Sequence, residues 1–184
     1  LQLCFSMNLA KENVMNQILY RKLQTNEAQL FWNMMNELDH ETKFMMYEPG
    51  ERENTASEIK AIEVLIQSAK DNKNYLLIAE VNHQIIGYIL ALRGTPNRIK
   101  HTAYIVTGIK KDYRGKGIGK TFFTSLDNWA KGNGIKRLEL TVIRTNLVAK
   151  RLYEQKGFVV EGTRKNAMII DGDFVDEFYM AKLL

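Results

Sequence analysis

Residues 113–121, Tyr113-Arg114-Gly115-Lys116-Gly117-Ile118-Gly119-Lys120-Thr121, set three glycines among three cations at a spacing suited to holding an anion. The stretch before them, Ala103 to Ile109, is β-branched and aromatic and reads as a buried strand. The stretch after them, Phe122 to Ala130, has apolar residues at helical spacing. A strand, a basic glycine-rich turn and a helix together make a phosphate cradle. The glycines let the backbone approach the ligand, free N–H groups at the helix start point at it, and the helix dipole favours negative charge. A nucleotide-hydrolase loop of the form G-x-x-x-x-G-K-S/T shares Gly119-Lys120-Thr121 but requires glycine where Arg114 stands. Nor does a strand end in an aspartate suited to magnesium, so that chemistry is argued against. The pattern that does fit at every position is Arg/Gln-x-x-Gly-x-Gly/Ala, through Arg114, Gly117 and Gly119.

One strand further on runs Asn146-Leu-Val-Ala149-Lys-Arg-Leu152-Tyr153-Glu-Gln-Lys-Gly157-Phe158. With the glycine loop it resembles the GNAT superfamily of N-acetyltransferases, whose pyrophosphate signature matches the first segment and whose N-x-x-A-x-x-L-Y-x-x-x-G-F pattern matches the second. The resemblance covers residues 17–184. The ending, with Glu161-Gly162, Arg164, Asp176-Glu177 and Met180, is similar to small bacterial members that acetylate ribosomal proteins or small molecules.

The resemblance implies an α/β (α+β) fold: a mixed, mostly antiparallel central sheet of seven strands flanked by helices on both faces. It implies acetyl-coenzyme A (acetyl-CoA) as co-substrate without a metal. The acetyl group would pass directly, in a ternary complex, to a primary amine, either a small molecule or a protein N-terminus. By the same resemblance the cofactor is held by Thr107, Gly108, Ile109, Arg114, Gly115, Lys116, Gly117, Ile118, Gly119, Lys120, Thr121 and Asn146. Pantetheine would enter a gap where a bulge at Gly108 splays the central strand, and a backbone N–H near Ile109 would face the oxyanion.

Asn146, Ala149 and Tyr153 lie three and four residues apart and share a helix face, while Val148 and Leu152 form a second stripe expected in the core. Within the resemblance, Asn146 meets a pantetheine amide and Tyr153 sits beside the thioester sulfur. A phenol of pKa about 10 can donate to, or hydrogen-bond, a thiolate of pKa about 8.5. The acceptor must attack as a free amine, so a general base is expected. Some superfamily members carry that glutamate where this chain has Ala103, and no carboxylate lies between His101 and Ile109. Two residues before Ala103, and on its face by strand alternation, His101 is one candidate. Glu48, in a loop bordering the acceptor cleft of this fold, is the other. Ala103 also leaves open an alternative, a non-catalytic acyl-CoA-binding or sensor module.

The elements that must position these residues follow in order. Ile18 to Gln24 is a first edge strand. Thr25 or Asn26 caps a helix through Leu38. Glu48-Pro49-Gly50 breaks the helical pattern, and Thr55-Ala-Ser-Glu58 is a capping box that opens a second helix. The Met and aromatic patch of Phe31, Trp32, Met34, Met35, Phe44, Met45, Met46 and Tyr47 is either core or an adaptable cleft lining. Asn74–Val81 and Ile85–Leu92 form a hairpin turning at Asn82-His83. After the signature helix come the strand Ile135–Ile143, a short helix from Asn146 to Lys156, and a final hairpin turning at Asp171-Gly172. Final hairpins with apolar faces often pair in this superfamily, so a homodimer is one expectation.

The chain has 184 residues, 45% of them hydrophobic, enough for one domain at residues 17–184 after an N-terminal extension, residues 1–16, of unknown role. A net charge of +5, dispersed along the chain, suits an anionic cofactor but argues against nucleic acid. One cysteine, Cys4, excludes an internal disulfide, and three scattered histidines lack metal-ligand spacing. No apolar run reaches a membrane span and no basic leader precedes one, so the reading is cytoplasmic and off the membrane.

Overall fold

The computed structural model describes residues 17–184; the expected N-terminal extension and Cys4 lie outside the described residues. Seven strands form one sheet in the order β1-β2-β3-β4-β5-β7-β6. They are β1 (Leu19–Arg21), β2 (Tyr75–Val81), β3 (Gln84–Arg93), β4 (Thr102–Ile109), β5 (Arg137–Ile143), β6 (Val159–Ile170) and β7 (Asp173–Leu183). Every neighbouring pair is antiparallel except β4 and β5. Helices α1 (Ala28–Glu41) and α2 (Ala56–Lys70) come before β2, α3 (Ile118–Gly132) between β4 and β5, and α4 (Leu147–Gln155) between β5 and β6. This is the mixed sheet with helices on both faces that the sequence implies. Among the described residues no helix is long and apolar enough to cross a membrane.

Two apolar layers sandwich the sheet. On one face Phe31, Met34 and Leu38 of α1 and Ile62, Ile66 and Ala69 of α2 pack on Leu76, Ile78, Tyr88 and Leu90. On the other, Phe122, Phe123, Leu126 and Ala130 of α3 pack on Ile89, Ala103, Ile105, Leu138 and Met180. The Met and aromatic patch therefore divides. Phe31 and Met34, on α1, are core, whereas Met46 in the following loop is 80% exposed and Phe44 and Tyr47 are also exposed.

The turns follow the local chemistry. Asn82 and His83 both take positive φ, as a two-residue hairpin turn between right-twisted strands requires, and Asp171 and Gly172 do the same between β6 and β7. Thr55 caps α2 through the Glu58 N–H. At α1 the expected cap shifts. Thr25–Glu27 form a 3₁₀ turn, and Glu27 Oε2 accepts from the Gln24 N–H at 2.7 Å. On α4, Leu152 packs against the core but Val148 is 84% exposed, because this nine-residue helix lies on the surface and buries one narrow face.

The relation between β4 and β5 matters most for function. Their parallel pairing covers only Thr102↔Arg137, Ala103↔Leu138 and Tyr104↔Glu139. Both strands continue, β4 to Ile109 and β5 to Ile143, without pairing each other. The gap expected in the central strand is thus present, but its cause is not a bulge at Gly108: β4 stays in unbroken register with β3 from Ala103 to Ile109. Gly108 answers to packing instead, since a Cβ there would lie 2.8 Å from Leu38 Cδ1 on α1.

Candidate active site

The glycine loop leaves β4 through a 3₁₀ turn, Lys111–Tyr113. Arg114 folds back, its Nε donating to the Ile109 carbonyl at 2.8 Å, and so clamps the loop to the strand end. Gly115 (φ +73) and Gly117 (φ +83) take left-handed conformations that other residues adopt only with strain. Gly117 is the N-cap of α3 and no side chain caps this helix. Its first intrahelical bond is Thr121 N–H to the Gly117 carbonyl at 3.2 Å, so the N–H groups of Ile118, Gly119 and Lys120 have no helical acceptor. Lys116 and Lys120 are exposed beside them, with Lys116 Nζ 5.1 Å from the centre of the Tyr113 ring. An uncapped helix start with two left-handed glycines and three cations fits a diphosphate.

Not every residue of the loop serves that end directly. The Ile118 side chain is 1% exposed and belongs to the core, leaving only its N–H for a ligand. A Cβ on Gly119 would come within 2.6 Å of Leu152 Cδ2, so Gly119 lets α3 meet α4 rather than letting backbone meet phosphate. The Thr121 hydroxyl bonds back to the Gly117 carbonyl at 3.4 Å. Glu41 accepts from the Lys111 N–H at 2.7 Å and stands 4.0 Å from Arg114 Nη2.

In the gap, the backbone of β4 from Ile105 to Ile109 has no partner in β5. The Thr107 hydroxyl is committed to the Tyr88 carbonyl at 2.7 Å. Asn146 caps α4, its Oδ1 accepting from the Ala149 N–H at 3.2 Å, so its NH₂ is what remains for a ligand. Tyr153 is buried against Phe123 and Phe158, with ring centroids at 5.5 and 6.2 Å. Burial, with Tyr104 adding to it, pushes the Tyr153 phenol up to about 12. Its proton is therefore held firmly across the neutral range.

The opposite face of the sheet carries a cavity of about 510 Å³ over the start of the gap. Tyr104, Thr141, Glu177 and Arg164 floor it from β4, β5, β7 and β6, and Met46, Glu48 and Glu51 border it from the loop between α1 and α2. Tyr104 Oη lies 2.9 Å from Thr141 Oγ1, Thr141 Oγ1 donates to Glu177 Oε1 at 3.4 Å, and Arg164 Nη1 donates to Glu177 Oε2 at 3.3 Å. Glu48 thus borders this cavity.

His101 does not. It is exposed just before β4, its carbonyl accepting from the Lys136 and Arg137 N–H groups where β4 and β5 are paired. It is not among the residues that line the cavity, so it is not brought together with Tyr104, Thr141 and Glu177.

Sequence reasoning missed Tyr104, Thr141, Arg164 and Glu177. Strand alternation alone sets Tyr104 on the face opposite Ala103. Nothing local marks Glu177 except its place in the carboxylate pair Asp176-Glu177, set between Phe174-Val175 and Phe178-Tyr-Met180. Among the described residues no cluster of side chains suited to a metal ion occurs.

Residues 32–158 match the profile of the acetyltransferase (GNAT) family. The L-amino acid N-acetyltransferase AaaT of Escherichia coli is 28% identical over 112 residues, covering 58% of this chain and 67% of that one. A GNAT-family acetyltransferase from Streptococcus pneumoniae superposes with TM-score 0.84 at 28% identity, over 91% of this chain and all of that one. YncA of Salmonella typhimurium, solved with its cofactor acetyl-CoA, superposes with TM-score 0.77 at 16% identity, over 92% of this chain and 95% of that one.

Proposed function

The chain belongs to the acetyltransferase (GNAT) family, and we propose that it transfers the acetyl group of acetyl-CoA directly to a primary amine held in the cavity over Tyr104 and Thr141. The observation that carries this reading is the interrupted pairing of β4 and β5, confined to Thr102–Tyr104. The uncapped start of α3 and the Tyr153 ring lie toward one face of the sheet, the cavity lies on the other, and the gap joins them. Two reactants approaching from opposite faces favour attack in a ternary complex over passage through an acyl-enzyme. The chain's single cysteine, Cys4, belongs to the residues outside the description.

Each group has a part in this reading. The N–H groups of Ile118, Gly119 and Lys120, with Arg114, Lys116 and Lys120, hold the pyrophosphate. The β5-facing backbone of residues 105–109 and the NH₂ of Asn146 take the pantetheine amides, and a β4 N–H steadies the oxyanion. When bound, acetyl-CoA supplies an activated thioester whose leaving group is a thiolate. Tyr153 serves that leaving group as a hydrogen-bond donor. With its phenol at about 12 against about 8.5 for a free thiol, complete proton transfer to the thiolate is uphill by on the order of 5 kcal/mol. A charge-assisted hydrogen bond costs no such transfer.

The test is release of coenzyme A thiol from acetyl-CoA in the presence of L-amino acids, polyamines and peptides with free N-termini, compared with release without amine. Amine-dependent release supports transfer. Tight binding of acetyl-CoA with no release above the blank for any amine class makes the chain a binding module instead.

A further inference from the structure

We propose that Glu177 is the group that takes the proton from the acceptor amine, with Thr141 and Tyr104 aligning its Oε1 toward the gap. This rests on the direct-transfer reading above. Glu177 is one of three buried polar or charged residues of the described chain, at 7% exposure, and the only one of them that lines the cavity. A carboxylate taken out of water is costly unless it is paired, and replacement by a well-packed apolar residue would be no less stable. Each of its oxygens has one partner: Arg164 Nη1 donates to Oε2 at 3.3 Å and the Thr141 hydroxyl to Oε1 at 3.4 Å. Oε1, which meets a neutral hydroxyl and no cation, keeps a lone pair for a donor in the cavity.

Position favours Glu177 over the other carboxylates. It sits in the middle of β7, opposite Ile143 of β5, on a strand paired on both sides. Glu48 and Glu51 are exposed in a loop, and Glu51 Oε2 already accepts from the Glu48 N–H at 2.7 Å. Tyr104 is the last β4 residue paired with β5, and its hydroxyl bridges the opening of the gap to Thr141 at 2.9 Å. The charged and titratable groups that line the cavity with Glu177 are Arg164 from β6, Tyr104 from β4, and Glu48 and Glu51 from the loop, and Tyr179 follows on the same face of β7.

The step balances. The amine reacts as its free base: as its lone pair bonds to the thioester carbonyl the nitrogen turns acidic, one N–H bond breaks, and that proton goes to Glu177 Oε1. With the C–N bond formed and the carbonyl pair on oxygen, the C=O re-forms, the C–S bond breaks, and its pair leaves on sulfur under the Tyr153 hydrogen bond. Glu177 returns its proton to water at the cavity mouth. The products are the N-acetyl amine, the coenzyme A thiol or thiolate according to pH, and any proton so released. At neutral pH about one in a thousand amines of pKa near 10 is free, and that fraction is the one that reacts.

The experiment compares wild type, Glu177→Gln, Glu177→Asp and Glu48→Gln, using the best acceptor among L-amino acids, polyamines and short peptides. It reads kcat against pH at saturating substrates, together with acetyl-CoA affinity. The expected result is a fall in kcat of about 10²–10⁴-fold in Glu177→Gln, with loss of the acid-side break that reports a group of the ternary complex. Acetyl-CoA affinity is unchanged, and Glu177→Asp keeps the break at a reduced rate. A Glu177→Gln enzyme that keeps the break and most of its rate, or an equal loss in Glu48→Gln, overturns the assignment while leaving the transfer reading intact. No turnover in wild type overturns both. Because Glu177→Gln leaves Arg164 without its anion, the Glu177→Gln/Arg164→Met double variant is measured alongside; a stably folded double variant that regains the break also overturns it.

Discussion

Arg52 grips Asp39 at two points, Nε to Oδ2 at 2.7 Å and Nη2 to Oδ1 at 3.3 Å, and the Asp39 carboxylate is completely buried. The Arg52 guanidinium also lies 4.4 Å from the centre of the Tyr47 ring. Asp39 belongs to α1 and Arg52 to the segment between α1 and α2, so this pair ties back the loop that brings Met46, Glu48 and Glu51 to the cavity. A second charged tie of the segment, Lys43 to Asp171 at the β6–β7 turn, joins two exposed side chains. Buried and exposed pairs differ in consequence. Losing one partner of a buried pair strands a charge, whereas an exposed pair is worth about 0–1 kcal/mol.

Arg52→Met is therefore expected to cost about 3–5 kcal/mol of folding stability, and Lys43→Ala less than about 1 kcal/mol. In the folded fraction of the Arg52 variant the loop loses its anchor, so KM for the amine rises while acetyl-CoA affinity holds. Urea unfolding and a KM comparison at fixed acetyl-CoA check this. Equal stabilities for the two variants would mean that the buried pair does not hold the loop.

Gly117→Ala separates phosphate binding from packing. A Cβ at Gly117 meets no protein atom within 4 Å, so the folded chain bears only the strain of φ +83. That strain is about 1–2 kcal/mol for an L residue. A methyl group at the N-cap intrudes where an anion must approach the bare N–H groups of α3. Acetyl-CoA affinity should fall by at least tenfold in a chain that still unfolds cooperatively. Calorimetric titration measures it, and unchanged affinity would remove the loop from the binding site.

The glycine loop and the helix of Tyr153 were legible in the sequence because each is a continuous segment whose chemistry rests on residues three or four apart. The Asn82-His83 turn and the Thr55 cap were legible for the same reason. The cavity was not, since Tyr104, Thr141, Arg164 and Glu177 come from four strands and meet only through the β4-β5-β7-β6 order. Strand alternation put His101 on a face but could not say that β4 begins only at Thr102, nor which end of it opens. Val148 misled because an apolar residue at helical spacing implies a partner, and α4 turns that stripe to solvent. Gly108 and Gly119 were legible as glycines but not in their purpose. The atoms they make room for, Leu38 Cδ1 and Leu152 Cδ2, are distant in sequence.

Tyr153→Phe removes one hydroxyl from a ring that Phe123 and Phe158 already hold, so acetyl-CoA affinity and the fold should survive. If the phenol hydrogen-bonds the departing sulfur, the loss corresponds to a hydrogen bond to a charged group, about 1.5–3 kcal/mol, or roughly 10–150-fold in kcat. The loss should shrink for an acyl donor whose thiol is more acidic, because that sulfur needs less help. The same hydroxyl makes a second, independent prediction. Its folded value of about 12 lies above the roughly 10 of an unfolded tyrosine, so its stabilising contribution is complete below pH 10. It is lost as pH rises from there toward 12, by up to about 3 kcal/mol. Wild type should therefore lose stability relative to Tyr153→Phe across that window, read by urea unfolding at a series of alkaline pH values. Parallel stability curves with undiminished kcat, chemistry being rate-limiting, would leave Tyr153 as a packing residue alone.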